Sequence, residues 1–295
     1  MYELIQVSEA CYYINCPAKI GVYQTGKKGV YLIDSGNDKD AGRRVRQILE
    51  KNGWELLGIL NTHSNADHIG GNRYLQGQTG CRVYAGGMEA AFTQYPVLEP
   101  SFLYGGYPCK DLRHKFLMAQ ESRVTDFSHD SFPKEIEILP LPGHFLDMSG
   151  FRTPDGVVFL ADCISSKASL DKYAITFLYD VEAYLKTLDM VEEMEADMFV
   201  PAHADAAEDI RDLVCYNRDK VHEIAEKICM ICKSPRTFEK ILQRLFQDYG
   251  LSMNFEQYVL VGSTVRSYLS WLKDTGKLSA VFKDCELLWQ TAVPL

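Results

Sequence analysis

The sequence lacks several features that would mark a membrane, exported or nucleotide-hydrolysing protein. No stretch approaches the run of about 18 uncharged apolar residues that a transmembrane helix needs. The first residues carry neither the basic region nor the apolar core of a signal peptide. Phosphate-cradling glycine motifs and the Gly-x-Ser-x-Gly motif of serine hydrolases are also missing. We therefore expect a cytoplasmic protein with no membrane contact, and the sequence disfavours nucleotide hydrolysis and serine chemistry.

An excess of positive charge is also missing. The 295 residues include 31 basic and 40 acidic side chains, which gives a net charge of −9. Such a chain repels phosphate backbones at long range, so the charge argues against a nucleic-acid partner. The nine cysteines are odd in number and scattered, and we expect reduced thiols. With 46% apolar residues, the chain is typical of a globular protein and long enough for about two domains.

Strands alternate with helices through roughly the first 205 residues. Short apolar runs that predict buried strands lie at residues 30–34, 56–60, 157–161 and 198–201. Between the first two runs, Val45, Ile48 and Leu49 recur at helical spacing among charged residues. This alternation predicts a layered α/β fold and a first domain over residues 1–205.

Residues 96–133 interrupt this rhythm with proline, glycine and aromatic residues. A loop of this length inside a compact domain is usually functional or disordered, and its aromatic content argues against disorder. Two interpretations stay open for this excursion. It is either a packed surface segment or a lid or wall of a substrate pocket.

Residues 206–295 form a different, C-terminal module. Their pattern predicts three helices, at 210–231, 237–249 and 255–273, followed by two short strands. This is the outline of a winged-helix module. The basic and acidic residues of the segment balance, so it lacks the charge of a typical nucleic-acid reader. The alternative is that the module only packs against the first domain and shapes its cleft.

The most informative segment follows the predicted strand at 56–60. It places His63, Asp67 and His68 within six residues, with Asn65 between them. A tight turn can bring all four side chains around one small volume. Imidazole nitrogens together with a carboxylate suit zinc, iron or manganese. The segment therefore predicts a metal site at the carboxyl end of a strand.

Four further polar residues each follow a predicted strand: Asp34, His144, Asp162 and His203. In α/β folds, functional sites gather at the carboxyl ends of strands. The chain has only seven histidines, and four of them occupy such ends. A single histidine of this kind could have a structural role. For all of these residues to be structural, residue type and position would have to coincide by chance four times, so the set favours a functional site.

The set resembles the pattern of the metallo-β-lactamase fold superfamily, which is His-x-His-x-Asp-His, then a distant His, an Asp after an apolar strand, and a final His. The matching residues are His63, Asp67, His68, His144, Asp162 and His203. Asp34-Ser-Gly resembles the early Asp-Thr-Gly element of the family. The resemblance spans roughly residues 10–205. It implies an αββα sandwich with a metal site at one edge, and the helical tail is similar to the glyoxalase II and lactamase-like ribonuclease branches.

The resemblance also implies the ligand sets. It assigns a first metal to His63, His144 and residue 65, a second metal to Asp67, His68 and His203, and a bridging role to Asp162. The departure from the family is Asn65, where the family usually has histidine and where the amide oxygen is a poor zinc ligand. We therefore expect one or two zinc ions, with iron or manganese as alternatives.

Three functions remain open at this stage. The first is hydrolysis of an ester, thioester or similar bond, since a metal lowers the pKa of bound water from about 15.7 to about 7. Here Asp67 and Asp34 are the predicted catalytic residues: Asp67 orients the nucleophile or accepts its proton, and Asp34 holds the loops. The second is oxidation at a single iron held by His63, His144 and Asp162, similar to the persulfide dioxygenase branch. The third is a nucleic-acid-binding or regulatory protein with a degenerate metal site.

For an enzyme, we expect a small-molecule substrate. A cluster of basic residues in the 96–133 excursion would attract an anionic one; its members are Lys110, Arg113, Lys115 and Arg123. The more common role of such a cluster is a solvated face. The sequence leaves the oligomeric state open, so a homo-oligomer is allowed.

Overall fold

The computed structural model describes residues 2–292, so the outermost residues of the two predicted domains lie outside the described part. The strands are β1 (Glu3–Gln6), β2 (Cys11–Asn15), β3 (Ile20–Thr25), β4 (Gly29–Ile33), β5 (Glu55–Leu60), β6 (Arg82–Tyr84), β7 (Val124–Thr125), β8 (Glu137–Pro140), β9 (Ser149–Arg152), β10 (Val157–Ser165), β11 (Met198–His203), β12 (Leu278–Lys283) and β13 (Glu286–Thr291). The helices are α1 (Lys39–Lys51), α2 (Ala66–Ile69), α3 (Asn72–Thr79), α4 (Gly87–Gln94), α5 (Leu98–Tyr104), α6 (Lys167–Tyr173), α7 (Val181–Glu192), α8 (Arg211–Ile231), α9 (Phe238–Asp248) and α10 (Phe255–Asp274). Within residues 2–292, no helix has the length and apolar character that crossing a membrane requires.

The first sheet contains β1 to β7 in chain order. Strands β1 to β4 are antiparallel, and β4 to β7 run parallel to one another. Helix α1 packs on the outer face, where Val45 and Leu49 join Leu75 of α3 in a buried cluster with apolar side chains of the sheet. The amphipathic stripe predicted in α1 therefore covers one side of this sheet.

The second sheet has the order β11-β10-β9-β8, with β10 and β11 parallel. Strand β10 is buried on both faces, as its continuous apolar sequence indicates. Val157 and Phe159 pack into the core between the two sheets, and Val158 and Leu160 pack against the helices outside. The layers are therefore helix, sheet, sheet, helix, and the predicted αββα sandwich is confirmed.

The C-terminal module consists of α8, α9 and α10 followed by the antiparallel pair β12 and β13. Their bounds agree with the sequence prediction within a few residues, because each helix carries a strong apolar stripe. The module shares a buried core with the outer face of the second sheet. Its winged-helix character and its status as a separate domain stay predictions.

The 96–133 excursion is more ordered than its sequence indicates. It contains α5, a single 3-10 turn at Lys110–Leu112 and the short β7. Pro100 lies in the first turn of α5, where backbone N–H groups have no helical partner, so the proline does not prevent this helix. Leu103 and Leu112 pack against Val259 of α10, so the excursion contacts the C-terminal module. Its role as a packed segment or as a pocket wall stays a prediction.

Outside the 96–133 excursion, sequence patterns missed β1, β2, β9 and α6. Strand β1 is a partly exposed edge strand, and α6 has a single fully buried apolar residue, Leu170. Neither produces a clear periodicity, because long-range pairing and packing rather than local pattern stabilise them.

Candidate metal centre

The candidate site lies where strands of both sheets end. Asp34 follows β4, His63 follows β5, and His203 is the last residue of β11. His144 lies in the loop after β8. The sandwich therefore brings together side chains that are up to 169 positions apart, counted from Asp34 to His203.

Asp162 lies inside β10 rather than after it, because the strand extends to Ser165 beyond the predicted limit. The β10–β11 register shifts on both sides of Ala161, and Ala161 has a positive φ of 51°. A bulge of this kind re-aims the next side chain. It turns Asp162 toward the histidines, where its carboxylate lies 3.1 Å from His68 Nε2 and 3.2 Å from His203 Nε2.

Six of the seven sequence-predicted ligands fall into two groups whose ligand atoms lie within 4.8 Å of one another. One group is His63, His144 and Asp162, and the other is Asp67, His68 and His203. The rings of His63 and His68 are 4.0 Å apart between centroids, so the two groups adjoin. The seventh residue, Asn65, lies beside the first group with its Oδ1 3.2 Å from His144 Nε2.

The buried polar atoms at this point fit a metal. His63 Nε2, His68 Nε2 and Asp162 Oδ1 are buried and form no hydrogen bond among the described residues. His68 Nε2 and Asp162 Oδ1 lie 3.1 Å apart, but with the His68 proton on Nδ1 both atoms are acceptors, so a cation between them would satisfy both. Leaving such groups unsatisfied costs about 1–3 kcal/mol each, and more for charged groups. Imidazole nitrogens and carboxylate oxygens are the donors that zinc, iron and manganese accept. The residues present therefore fit one or two such ions.

Asp34 fixes the orientation of two of these histidines. Its Oδ2 accepts a hydrogen bond from His68 Nδ1 at 2.8 Å and another from the hydroxyl of Thr62 at 2.7 Å. Because that hydroxyl donates to Asp34, its oxygen is left to accept from His63 Nδ1, which lies 2.9 Å away. Both imidazoles thus carry their proton on Nδ1 and present Nε2 to the site, which is the arrangement that metal-binding histidines need.

His203 is oriented by the backbone instead. Its Nδ1 donates to the carbonyl oxygen of Pro17 at 3.0 Å, which leaves Nε2 facing Asp67 and Asp162. Gly143 permits the turn before His144: its φ is 120°, and a Cβ there would meet the backbone nitrogen of Tyr184 at 2.3 Å.

Burial and mutual charge set the protonation of the cluster. Burial lowers the pKa of His63 well below its usual value, so its imidazole is neutral. The carboxylate of Asp162 raises the pKa of His203 to about 10. Burial opposes the ionised form of Asp162, but the adjacent His203 and His68 outweigh it and hold the pKa of that carboxyl well below its ordinary range. The ionised Asp162 thus attracts positive charge into the cluster.

Sequence reasoning missed two buried glutamates that hold the metal-site loop. Glu89 accepts hydrogen bonds from the backbone N–H and the hydroxyl of Ser64, at 2.9 and 2.6 Å. Glu99 accepts from Asn65 Nδ2 at 2.8 Å. Burial raises the pKa of Glu89 to about 7 and that of Glu99 well above its usual value. No local motif marks either residue; the only signal is an acidic residue among the apolar positions of a short helix.

Comparisons with known proteins agree with this fold. The sequence profile of the metallo-beta-lactamase superfamily matches residues 14–203. Among solved structures, a beta-lactamase domain protein from Burkholderia ambifaria aligns with a TM-score of 0.75 over 98% of this chain and 94% of its own, at 16% identity. A metallo-beta-lactamase family protein from Thermus thermophilus aligns with a TM-score of 0.70 over 99% and 98%, also at 16% identity. At this identity the likeness concerns the fold.

Two curated relatives match a short segment only. A hydroxyacylglutathione hydrolase from Methylococcus capsulatus is 49% identical over 39 residues, which is 13% of this chain and 15% of the relative. A second, from a Bradyrhizobium species, is 54% identical over 44 residues, or 15% of this chain and 17% of the relative. The matched segments thus span under a fifth of these relatives. The superfamily profile, in contrast, covers more than half of the chain, and the protein belongs to the metallo-beta-lactamase superfamily.

Proposed function

We propose that this protein is a metal-dependent hydrolase that cleaves an ester, thioester or similar bond of a small molecule, with zinc as its metal. The observation that carries this proposal is the convergence of His63 Nε2, His68 Nε2 and Asp162 Oδ1, three buried atoms that form no hydrogen bond among the described residues, inside two adjoining ligand groups. The superfamily is consistent with hydrolytic chemistry, and the short matches to hydroxyacylglutathione hydrolases support a thioester.

In this proposal the cluster holds up to two ions. His63, His144 and the amide oxygen of Asn65 would bind the first, while Asp67, His68 and His203 would bind the second, with Asp162 shared between them. A bound divalent cation supplies Lewis acidity, which acidifies water and polarises the substrate carbonyl.

The protein's own side chains supply position and proton handling. Asp34 is a positioning residue that keeps His68 and, through Thr62, His63 in the required tautomer. The side chain of Asp67 is 43% exposed, so it is open to the cleft and to solvent. We assign to Asp67 the orientation of the attacking water and the acceptance of its proton, because a carboxylate within reach of the nucleophile acts as a general base.

The test combines metal content with a substrate panel. The purified protein is analysed for zinc, iron and manganese and is then assayed on thioesters, lactones and phosphodiesters. We expect zinc and hydrolysis of thioesters or esters. Asp162→Asn is expected to abolish both metal retention and hydrolysis, whereas the exposed Asp40→Asn leaves both unchanged. A fully metal-loaded wild-type protein that hydrolyses no member of the panel would contradict the proposal.

A second candidate function is oxidation at one iron. The group His63, His144 and Asp162 is a two-histidine, one-carboxylate set, the ligand type of non-haem iron enzymes. Asn65 adds no third nitrogen to this set. This candidate requires iron in the purified protein and thiol-dependent oxygen uptake. Zinc alone, without oxygen uptake, would exclude it.

A further inference from the structure

Two cavities adjoin the candidate metal cluster. The first, of about 320 Å³, lies toward α6 and α10, and the second, of about 310 Å³, lies toward α5. Asp67, His144 and Asp162 line both cavities. Phe177 and Leu260 also line both, so these two apolar side chains stand between them. A bond positioned over the cluster therefore has separate room for the groups on its two sides.

The first cavity is uncharged apart from the cluster itself. Its polar lining consists of hydroxyl and amide groups such as those of Ser165, Ser169 and Gln257, and the remainder is mainly apolar. Among the described residues that line it, there is no lysine, arginine or glutamate. The Lys172 ammonium lies outside this lining, where it donates to the hydroxyl of Tyr173 at 3.0 Å. This cavity fits an uncharged group.

The second cavity is acidic. Beyond the cluster, it is lined by Glu99 and Glu256, together with apolar side chains that include Leu103 and Phe116. Glu99 is buried and bound to Asn65, whereas the Glu256 side chain is 35% exposed. His114 Nε2 is 4.0 Å from the Glu256 carboxylate, at the limit of an ion pair. Away from the metal cluster, the described lining contains no lysine or arginine that would pair with an anionic group.

The basic cluster that predicted an anionic substrate points elsewhere. Lys115 pairs with Asp38 at 2.9 Å and lines a different cavity beside α1. Arg113 stacks on Tyr107, with its guanidinium carbon 5.2 Å from the ring centroid. Neither side chain lines the cavities at the metal cluster. Lys110 and Arg123 do not line them either, so the basic cluster supplies no direct contact for an anionic group in these cavities.

We propose that Phe177 and Leu260 divide the cleft into two subsites, which are the first and the second cavity. The first cavity accepts the uncharged acyl group of a thioester or ester. The second cavity accepts an uncharged or cationic leaving group and disfavours an anionic one. This inference rests on the proposed hydrolase function. Its physical basis is repulsion: an anionic leaving group would enter a partly dehydrated cavity beside Glu256, where like charges interact more strongly than in water.

The first test compares thioesters of one acyl group whose leaving thiols differ chiefly in charge: neutral N-acetylcysteamine, cationic thiocholine, whose quaternary ammonium cannot attack the thioester, and anionic 3-mercaptopropionate. We expect kcat/KM to be lowest for the anionic thioester. Glu256→Lys is expected to raise the ratio of kcat/KM for the anionic thioester to kcat/KM for the neutral one by about fivefold. This is the scale of reversing one nearby, partly screened charge. Glu239→Lys is the matched control, because Glu239 also follows a phenylalanine in the first turn of its helix but lines neither cavity.

Binding provides a readout that does not need turnover. Non-hydrolysable thioether analogues of the same three compounds are titrated into the metal-loaded protein by calorimetry. Weaker binding of the anionic analogue, relieved by Glu256→Lys and not by Glu239→Lys, supports the inference even where hydrolysis fails, and that failure would count against the proposed function alone. Preferred binding of the anionic analogue, or an equal response of the two variants, would overturn the inference.

The division itself is tested with Leu260. Leu260→Ala joins the two cavities, and we expect it to raise kcat/KM for thioesters with bulky acyl groups relative to acetyl thioesters by several-fold. Leu260→Met keeps the volume and serves as the control, since such swaps are well tolerated. Thermal melting of both variants verifies that they are folded. If the ratio of kcat/KM for bulky-acyl thioesters to that for acetyl thioesters is unchanged in Leu260→Ala, Leu260 does not separate the two cavities. Where hydrolysis is too slow to assay, the calorimetric affinities of matched bulky and small thioethers are compared instead.

Discussion

The carboxylate of Glu99 holds the side-chain amide of Asn65 with its oxygen toward the candidate metal cluster. Asn65 Nδ2 donates to Glu99 Oε1 at 2.8 Å, and Asn65 Oδ1 lies 3.2 Å from His144 Nε2. With Nδ2 donating to Glu99 Oε1, the amide oxygen of Asn65 is left facing His144. Position 65 thus offers a neutral amide oxygen, rather than a nitrogen, to one of the two ligand groups.

We therefore expect the two metal positions to differ in affinity. Zinc prefers nitrogen and sulfur ligands to a neutral amide oxygen, so the group around His63 should bind zinc more weakly than the group around His68. Asn65→His is expected to tighten the weaker site by at least about tenfold, within the range seen for changes near a metal. Competition with a chromophoric chelator measures both constants.

Asn65→Ala is the reference for this comparison, because it removes the oxygen without adding nitrogen. Two equally tight sites in the wild-type protein would contradict the expected asymmetry. So would an Asn65→His variant with the affinities of Asn65→Ala.

Asp34 is predicted to support metal binding without touching the metal. Asp34→Asn can donate as well as accept, so it no longer enforces Nδ1 protonation of His68 and the link through Thr62 to His63. We expect metal affinity to fall by about 10- to 100-fold, the usual cost of losing such a partner. Chelator competition measures the loss, with Asp40→Asn on the exposed start of α1 as the control. Unchanged affinity in Asp34→Asn would show that the tautomers are set elsewhere.

Glu89 gives the protein a pH-dependent stability. Its pKa rises from an ordinary 4.5 to about 7 in the folded protein, so its favourable contribution is complete below pH 4.5 and is lost as the pH rises through about 7. The glutamine side chain of Glu89→Gln does not ionise, so the stability of this variant lacks the decrease that ionisation of Glu89 causes. The free energy of unfolding of the wild type relative to Glu89→Gln is therefore expected to fall by about 3 kcal/mol between pH 4.5 and 8.

Denaturant unfolding at several pH values measures this difference. Glu121→Gln is the control, because Glu121 is exposed and its substitution should leave the pH profile of the wild type unchanged. A constant difference between wild type and Glu89→Gln from pH 4.5 to 8 would show that the buried carboxyl keeps one protonation state throughout.

Gly143 is expected to be essential for presenting His144. Its φ of 120° disfavours any side chain, and a Cβ would lie 2.3 Å from the backbone nitrogen of Tyr184. Gly143→Ala should cost about 3 kcal/mol or more and should also reduce metal retention. Gly105→Ala is the matched comparison, because Gly105 has a φ of 76° but open space around it, so only about 1 kcal/mol of backbone strain is expected. Calorimetric melting and metal analysis report both effects, and equal costs for the two variants would contradict the argument.

The sequence by itself determined the layered α/β fold and the residue types at the candidate site. The patterns at 30–34, 56–60 and 157–161 indicate buried strands because burial on both faces demands continuous apolar runs. The polar residues at their ends were found because sheet edges are where backbone direction brings functional side chains together. The C-terminal helices were found because their amphipathic stripes are strong and local.

Only the tertiary structure decided how these residues act on one another. Glu89 and Glu99 carry no motif, and their contacts with Ser64 and Asn65 depend on packing of α4 and α5 against the metal-site loop. The direction of Lys115, away from the cleft and toward Asp38, likewise could not be read from the chain. Local sequence encodes periodicity and residue chemistry, but hydrogen bonds, burial and cavity lining arise between segments far apart in the chain, so only the folded arrangement fixes them.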